Sequence, residues 1–286
     1  MRESDYLPLL QLALSEDLGE LGDVTSQAVV PEEERSATLW SKDIGVLAGE
    51  EVFTAVFRAI DSGTRVEFAV HDGALLEKGQ RVAEVRGKAL TILSGERTGL
   101  NFISFLSGIA TATRSFVEGA RVSGHAVILD TRKTLPGWRA LSKYAVTVGG
   151  GSNHRQALYD MVLIKDNHVD SAGSVDEAVR LVRQKWGKRF RIEVECRSTA
   201  EVTEALAAGV DMIMLDNMDA EAMGREVRRI AGRVKVEASG TMTLGRVPAV
   251  SAAGVDFISV GAMTHSVKSF DFSLKMGSRE RTVWSG

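Results

Sequence analysis

Residues 192–217, IEVECRSTAEVTEALAAGVDMIMLDN, form one complete strand, helix and strand unit, and this unit decides the fold. Apolar runs at residues 192–194 and 212–215 enclose an amphipathic helix, which begins with a capping box at Ser198 and ends at Gly209. Short runs that are almost wholly apolar are typical of strands covered by helices on both faces. The segment therefore predicts a parallel α/β sheet.

The same arrangement recurs along the second half of the chain. The last four apolar runs end at residues 194, 215, 236 and 260, so the spacings are 21, 21 and 24 residues, and earlier runs lie at 126–129 and 161–164. Each spacing is the length of one compact strand and helix unit. Repetition of such units predicts a parallel α/β barrel.

The first part of the chain has a mixed pattern. A helix is predicted at residues 6–14, alternating strands at 65–70 and 81–86, and a longer helix with Leu93, Leu100, Ile103 and Leu106 on one side. We predict an N-terminal α/β sandwich domain in residues 1–107 and the barrel in residues 108–271. Residues 272–286 are expected to return to the first domain.

Composition excludes several classes of partner. The 286 residues carry a net charge of -3 and a pI near 6.0, which gives no general attraction for nucleic acid or anionic lipid. No uncharged apolar run approaches the roughly 18 residues that span a bilayer. Cys196 is the single cysteine, so no internal disulfide can form. The sequence predicts a cytoplasmic protein with neither a membrane nor a nucleic-acid partner.

Polar residues follow every apolar run of the predicted barrel. In α/β barrels the reactive groups project from the C-terminal ends of the strands. One polar residue after a strand is usually a solvated loop residue, but six occurrences in phase predict one functional rim. The rim comprises Asp130, Thr131, Arg132, Lys133, Lys165, Asp166, Asn167, His168, Glu195, Asp216, Asn217, Glu237, Ser239, Gly240, Gly261 and Ala262.

Cations are concentrated in and beside this rim, although the protein as a whole is mildly acidic. The group consists of Arg132, Lys133, His154, Arg155, Lys165 and His168. Clustered cations repel one another unless an anion or carboxylates compensate, and the guanidinium fork suits planar carboxylates and phosphates. A small polyanionic substrate is therefore favoured over a flexible basic loop.

Two acidic residues, Glu195 and Asp216, stand at successive strand ends. They can neutralise the basic rim, hold Mg²⁺ through oxygen ligands, bind sugar hydroxyls or stabilise positive charge on a ribose carbon. Backbone N–H groups at Ser239-Gly240 and Gly261-Ala262 are placed where barrels commonly bind phosphate. No G-x-S-x-G, P-loop or H-E-x-x-H motif occurs. The class of reaction that remains is group transfer, catalysed by positioning and electrostatics.

Long motifs throughout the chain closely resemble those of the quinolinate phosphoribosyltransferase family. They are GDVTS at 22–26, ERTGLNF at 96–102, DTRKT at 130–134, GGGSNHR at 149–155, LIKDNH at 163–168, EVE at 193–195, MLDN at 214–217, EASG at 237–240 and VGAMTHS at 260–266. The resemblance implies a type II phosphoribosyltransferase-like fold, with an N-terminal α/β sandwich domain and an open parallel α/β barrel. It also implies transfer of a phosphoribosyl group from phosphoribosyl pyrophosphate to quinolinate with loss of CO₂, giving nicotinate mononucleotide for NAD synthesis.

The resemblance assigns roles to individual residues of a homodimer in which each sandwich domain caps the partner's barrel. Arg97 would enter the partner's site. The two quinolinate carboxylates would be held by Arg132, His154, Arg155 and Lys165. Phosphoribosyl pyrophosphate and Mg²⁺ would be met by Lys133, Glu195 and Asp216, with Mg²⁺ held directly or indirectly by the two carboxylates. The catalytic set would be Lys133, Lys165, Glu195 and Asp216; Thr131 and Thr241 would also contact substrate, and Ser239, Gly240, Gly261 and Ala262 would bind the 5′-phosphate.

Three positions depart from the family pattern: Thr241 follows EASG, Gln156-Ala157 follows NHR, and Cys196 follows EVE. They affect the expected affinity more than the expected reaction type. Three other functions stay open. One is a ligand-processing barrel paralogue associated with molybdenum transport, which is disfavoured by the intact NHR and IKDN motifs. The second is a carrier module, disfavoured because Lys78 lies in EKG rather than a biotinyl-type MKM. The third is a nicotinate phosphoribosyltransferase that releases no CO₂.

Overall fold

The computed structural model describes residues 1–277 and divides into two compact units. The first unit comprises Met1–Thr111, Ala140–Val148 and the described residues from Val267 to Gly277, and the second comprises Ala112–Arg139 and Gly149–Ser266. The sequence analysis assigned residues 140–148 to the barrel, whereas their contacts lie in the first unit. The hydroxyl of Tyr144 donates a hydrogen bond to the carboxylate of Asp72 in this unit.

The first unit begins with helices and continues into an antiparallel sheet. Its elements are α1 Leu7–Leu18, α2 Val24–Val29, β1 Glu34–Ser41, β2 Gly45–Val46, α3 Glu50–Ile60, β3 Arg65–Phe68, β4 Leu75–Leu76, β5 Arg81–Lys88 and the N-terminal part of α4 Ala89–Arg121. A last strand, Phe272–Met276, pairs antiparallel with β1 and completes the sheet order Phe272–Met276, β1, β5, β3. Of the segment 272–286 that was expected to return to the first domain, residues 272–276 form this strand, and residues 278–286 lie outside the described part of the chain.

The core of this unit is built from the apolar faces that the alternation in the sequence predicted. Phe53 and Phe57 of α3 meet edge to face, with ring centroids 5.1 Å apart. Val66 and Phe68 of β3 pack against the same cluster, as period-two alternation requires. The long helix α4 buries Leu100 and Ile103 there. This unit is an α/β layer with one apolar interior.

The second unit alternates strands and helices. Its elements are β6 Val127–Leu129, β7 Val162–Ile164, α6 Asp166–Ala172, α7 Val175–Trp186, β8 Ile192–Cys196, α8 Thr199–Ala207, β9 Met212–Asp216, α9 Ala220–Ile230, β10 Lys235–Ser239, α10 Val247–Ala252, β11 Phe257–Ser259 and α11 Ala262–His265. An intervening helix, α5 Arg139–Val148, lies almost wholly in the first unit. All six predicted apolar runs are strands, and each observed strand begins or ends within a few residues of its prediction.

The six strands form one parallel sheet in the order β6, β11, β10, β9, β8, β7. Because β6 and β7 are the ends of that order, the barrel is open, as predicted. Ser152 pairs with Leu129 beside the free side of β6. The sheet curves enough for side chains of β8 and β10 to reach one imidazole ring, that of His154.

Helix starts agree with the sequence prediction. The hydroxyl of Ser174 accepts a hydrogen bond from the backbone N–H of Glu177, and that of Ser198 accepts one from Glu201. The Gly209 stop is also confirmed, since α8 ends at Ala207 and Gly209 has φ +67°. Within residues 1–277, no helix combines the length and the apolar character needed to cross a membrane.

Candidate active site

A cavity of about 710 Å³ lies at the C-terminal ends of the barrel strands. Its lining includes thirteen of the fourteen predicted site residues: Thr131, Arg132, Lys133, His154, Arg155, Lys165, Glu195, Asp216, Ser239, Gly240, Thr241, Gly261 and Ala262. Arg97 is not among them; it is exposed on α4 in the first unit. The parallel sheet collects these side chains because every strand ends at the same rim.

Three cations of the lining, Arg132, Lys133 and Arg155, form no ion pair with a carboxylate of residues 1–277. The Nε atom of Arg132 is buried and has no hydrogen-bond partner within that part of the chain. Burial, and next the charge of Arg132, lower the pKa of Arg155, whose Nη1 atom donates to the carbonyl of Met161 at 3.1 Å. Buried donors without partners and crowded like charges are unfavourable until an anion binds.

Two of the three carboxylates in the lining, Glu195 and Asp216, have different partners. Glu195 accepts a hydrogen bond from the Nζ atom of Lys165 at 2.6 Å, so its charge is compensated by a lysine. Asp216 instead accepts a 2.6 Å hydrogen bond from the side-chain amide of Asn217. Both lie on the inner face, because Glu195 is in register with Met214 of β9, two residues before Asp216. The ammonium of Lys165 and the carboxylate of Asp216, which has no cationic partner in residues 1–277, therefore both lie at the rim.

The end of the cavity formed by β10 and β11 is made of small residues and backbone. Gly240 has φ +120°, and a Cβ atom there would lie only 2.5 Å from Oδ1 of Asn217. Only glycine fits this conformation and this close approach. The carbonyl of Thr241, the residue that departs from the family pattern, accepts a 2.6 Å hydrogen bond from Arg246. The backbone of Thr241 is thus tied to the residue that precedes α10.

His154 lies below the rim between two buried acids. Its Nε2 atom is 3.0 Å from a carboxylate oxygen of Glu193 and 3.3 Å from one of Glu237, while its Nδ1 atom lies 2.7 Å from the backbone nitrogen of Arg155. Both ring nitrogens are thus bonded to protein groups. In this geometry His154 offers neither nitrogen to a substrate carboxylate, and it fixes the backbone of Arg155 instead.

The buried cluster has perturbed protonation equilibria. Burial, and next the charge of Glu237, raise the pKa of Glu193 to about 7. Burial lowers the pKa of His154, but hydrogen bonds to Glu193 and Glu237 and their charges outweigh this effect and raise it to about 10. The hydroxyl of Ser259 donates to Glu237. Shared protons therefore reduce the negative charge beneath the cavity.

The structure also shows where the sequence analysis misplaced or missed residues. Glu237 was expected on the rim, but it is fully buried inside the barrel. Glu193 entered the sequence analysis only as part of the EVE motif. Its place between two apolar residues of one strand could have indicated that its carboxylate is buried. Asn217 and His265 line the cavity without having been assigned a role. His168 belonged to the predicted basic group but lies away from the cavity, where its Nδ1 atom accepts from the backbone N–H of Lys165.

The other two departures from the family pattern lie outside the cavity lining. The backbone N–H groups of Gln156 and Ala157 donate to the carboxylate of Asp160 at 2.7 and 2.9 Å, which closes a tight turn after Arg155. Cys196 alternates with Glu195 along β8 and is fully buried. Burial raises the pKa of this thiol to about 12, so it stays protonated.

Comparison with known proteins gives matches along nearly the whole chain. Residues 23–107 match the family model of the quinolinate phosphoribosyl transferase N-terminal domain, and residues 109–275 match that of the C-terminal domain. A probable nicotinate-nucleotide pyrophosphorylase (carboxylating) of Bacillus subtilis is 43% identical over 275 residues, which cover 96% of this chain and 94% of that protein. The mitochondrial quinolinate phosphoribosyltransferase (decarboxylating) 2a of Nicotiana tabacum is 42% identical over 291 residues, covering 95% of this chain and 82% of that protein.

Structural similarity is equally extensive. The crystal structure of NadC from Streptococcus pyogenes matches with a TM-score of 0.93 at 38% sequence identity, covering 97% of this chain and 98% of that one. The structural similarity thus extends over both halves of the chain, as the sequence matches do. The chain therefore belongs to the quinolinate phosphoribosyl transferase family.

Proposed function

We infer that the protein joins quinolinate to phosphoribosyl pyrophosphate and releases pyrophosphate and CO₂, so that it makes nicotinate mononucleotide for NAD synthesis. One observation carries this assignment beyond family membership. Arg132, Lys133 and Arg155 face the cavity with no carboxylate partner in residues 1–277, beside the carboxylate of Asp216. A cavity of that kind suits a dianionic aromatic acid next to a polyanionic sugar phosphate.

Binding and orientation are the first contributions of the side chains. The guanidinium groups of Arg132 and Arg155 hold the two quinolinate carboxylates, with the ammonium of Lys165 beside them. Lys133 meets the pyrophosphate, and backbone N–H groups near Gly240 and Gly261 receive the 5′-phosphate. Holding the pyridine nitrogen next to the anomeric carbon converts an encounter in solution into a reaction within one complex.

The acidic pair supports the transfer step. As the bond from the ribose carbon to pyrophosphate breaks, positive charge develops on the ribose, and the carboxylates of Glu195 and Asp216 stabilise it. The pyridine nitrogen then attacks, which forms the new C–N bond and a quaternary pyridinium. The carboxylate next to that nitrogen leaves as CO₂, since the electron pair left on the ring carbon is stabilised by the adjacent positive charge. A proton takes the place of the lost group.

We propose that Mg²⁺ is held by Glu195 and Asp216, directly or through water. The donor set fits, because carboxylate oxygens are the ligands that Mg²⁺ prefers and Asp216 has no cationic partner in the described chain. When bound, the ion would neutralise charge on the pyrophosphate leaving group.

A reducing compartment suits the single, buried cysteine, and we propose that the enzyme acts in the cytoplasm.

We propose further that the enzyme is a homodimer whose active sites are shared between subunits. The support is the exposed guanidinium of Arg97 in the ERTGLNF motif, outside the cavity lined by its own barrel. If sites are shared, Arg97→Ala and Asp216→Asn should each be nearly inactive, but a mixture allowed to exchange subunits should regain activity, because some sites combine wild-type Arg97 with wild-type Asp216. Activity of the mixture equal to the average of the two separate variants would contradict the shared site.

Replacing Arg155 by Ala should lower kcat/KM for quinolinate by roughly 10- to 150-fold, since charge-assisted hydrogen bonds worth about 1.5–3 kcal/mol are lost. Arg155→Lys keeps the positive charge but lacks the guanidinium fork, so its kcat/KM for quinolinate should lie between those of the wild type and Arg155→Ala. The matched control is Arg180→Ala, which removes an exposed arginine that pairs with Glu177 on α7. Undiminished kcat/KM in Arg155→Ala would refute the assigned role.

The assay that tests the function measures CO₂ and nicotinate mononucleotide together, after incubation with quinolinate, phosphoribosyl pyrophosphate and Mg²⁺. Equal amounts of both products are expected. Nicotinate is tested in parallel, because a nicotinate phosphoribosyltransferase would handle one carboxylate and release no CO₂. Turnover of nicotinate without turnover of quinolinate would replace the proposed function by that one.

A further inference from the structure

Asn217 combines a left-handed backbone with a position at the edge of the cavity. Within residues 1–277, only Asn217 and Ala231 are non-glycine residues with positive φ, at +55° and +53°. Ala231 caps the C-terminus of α9, where left-handed residues are common. Asn217 follows strand β9 and caps no helix. Strain of this kind persists where the surrounding structure requires it, and it is concentrated at functional sites.

The surroundings of Asn217 fix its side chain. Its backbone N–H donates to the carbonyl of Ser239 at 3.1 Å, which ties the end of β9 to β10. Its Oδ1 atom faces Gly240 so closely that a Cβ atom on Gly240 would come within 2.5 Å of it. With Oδ1 placed there, the Nδ2 atom points to Asp216 and donates at 2.6 Å. The left-handed backbone and the glycine opposite thus aim one amide at one carboxylate.

The chemistry of this contact differs from that at Glu195, another carboxylate of the rim. Glu195 is held by the ammonium of Lys165, which cancels its charge. An amide donor fixes the direction of Asp216 but leaves its negative charge intact. Asp216 has no other side-chain hydrogen bond or ion pair within residues 1–277. Its orientation toward the cavity therefore depends on Asn217.

We propose that Asn217 is a positioning residue, which holds the carboxylate of Asp216 toward phosphoribosyl pyrophosphate while keeping that carboxylate uncompensated. The inference rests on the proposed function in one respect, namely that Asp216 addresses the ribose and its Mg²⁺. On the same proposed function, Arg132 and Arg155 bind quinolinate, and Asn217 and Asp216 do not. Loss of the amide should thus affect one substrate more than the other.

The test is Asn217→Gly, because glycine accepts the left-handed backbone without strain and removes only the amide. We expect kcat/KM for phosphoribosyl pyrophosphate to fall by roughly 10- to 100-fold, as for the loss of a hydrogen bond to a charged group, while kcat/KM for quinolinate falls much less. The matched control, Ala231→Gly, makes the same backbone change at the end of α9. It should leave both constants unchanged, and both variants should keep the wild-type Tm.

A double-mutant cycle separates positioning from a general structural role. In the Asp216→Asn background, Asn217→Gly should cost less than about two-fold, because the carboxylate that it orients is already gone. Equal losses in both backgrounds would overturn the proposal, as would equal losses for the two substrates together with a Tm lowered only in Asn217→Gly. Undiminished kcat/KM for phosphoribosyl pyrophosphate in Asn217→Gly would also overturn it.

The outcome can be distinguished from a failure of the proposed function. Binding of phosphoribosyl pyrophosphate with Mg²⁺ is measured by calorimetry for the wild type and for Asn217→Gly, without quinolinate. Weaker binding by the variant supports the positioning role whether or not the wild type releases CO₂. A wild-type enzyme that turns over quinolinate, with an Asn217→Gly variant equal to it in binding and turnover, would sink this inference alone.

Discussion

Asp216→Asn should lower kcat by about 10²- to 10³-fold, the usual effect of removing one preorganised electrostatic group from a transition state. The carboxylate faces the cavity without a cationic partner in residues 1–277, so in the proposed mechanism its full charge would stabilise the ribose carbon as pyrophosphate leaves. Asparagine has nearly the same shape but no charge. The measurement is the steady-state rate of nicotinate mononucleotide formation at saturating concentrations of both substrates.

The control for this variant is Glu221→Gln, which neutralises an exposed carboxylate on α9 that pairs only with Arg225 in the described chain. Its kcat should equal that of the wild type. In Asp216→Asn, the side-chain oxygen of the new asparagine can still accept the hydrogen bond from Asn217, so the Tm should change little. A loss of activity would then not be due to unfolding. A kcat within three-fold of the wild type in Asp216→Asn would show that its charge does not act in the rate-limiting step.

His154→Ala should destabilise the fold by about 3–5 kcal/mol, because it leaves two buried carboxylates without their shared donor. Glu193 and Glu237 are both fully buried, and His154 is the group that bonds to each of them. Urea denaturation measures the free energy of unfolding. His125→Ala, at an exposed position, is the matched control and should change that free energy by less than about 0.5 kcal/mol.

A second substitution tests the cause. Adding Glu193→Gln to His154→Ala removes one of the two buried charges, so about 1–3 kcal/mol should be recovered. Additive losses in the double variant would show that electrostatic repulsion is not the source of the destabilisation.

The same cluster sets a pH dependence. The raised pKa of Glu193 contributes stability fully below 4.5, its ordinary value, and that contribution is lost as the pH rises through about 7. The raised pKa of His154 acts in the same direction, contributing below 6.5 and fading as the pH rises through about 10. The free energy of unfolding, measured by urea denaturation at each pH, should thus decline from pH 5 to pH 10.

Much of this fold could be predicted because its strongest signals are local. Each barrel strand is a short apolar run, and the similar spacing of these runs along the chain indicates a parallel α/β barrel. The rim could be predicted for the same reason, since residues after parallel strands meet at one edge. Glu237 shows the limit: period-two alternation places it on the inner face, but its depth in the barrel depends on how the sheet curves. That curvature is set by all six strands together.

The roles of His154 and Asn217 could not be predicted for a related reason. A histidine beside an arginine suggests a pair of substrate ligands, and only the three-dimensional arrangement shows both ring nitrogens already bonded inside the protein. The left-handed backbone of Asn217 has no sequence signature, because asparagine tolerates that conformation without requiring it. Local pattern indicates which residues gather at a site, whereas partners across the barrel decide what each one does.

The 2.6 Å contact between Lys165 and Glu195 links the two halves of the proposed reaction. If the ammonium turns toward an incoming aromatic diacid, the acid that it leaves behind regains its full charge next to the sugar. The enzyme would then become a better host for a cationic ribose only once its acceptor has arrived. Since energetic coupling between two ligands is reciprocal, each substrate would then raise the affinity for the other through Lys165. Hydrolysis of the activated sugar before quinolinate binds would be suppressed.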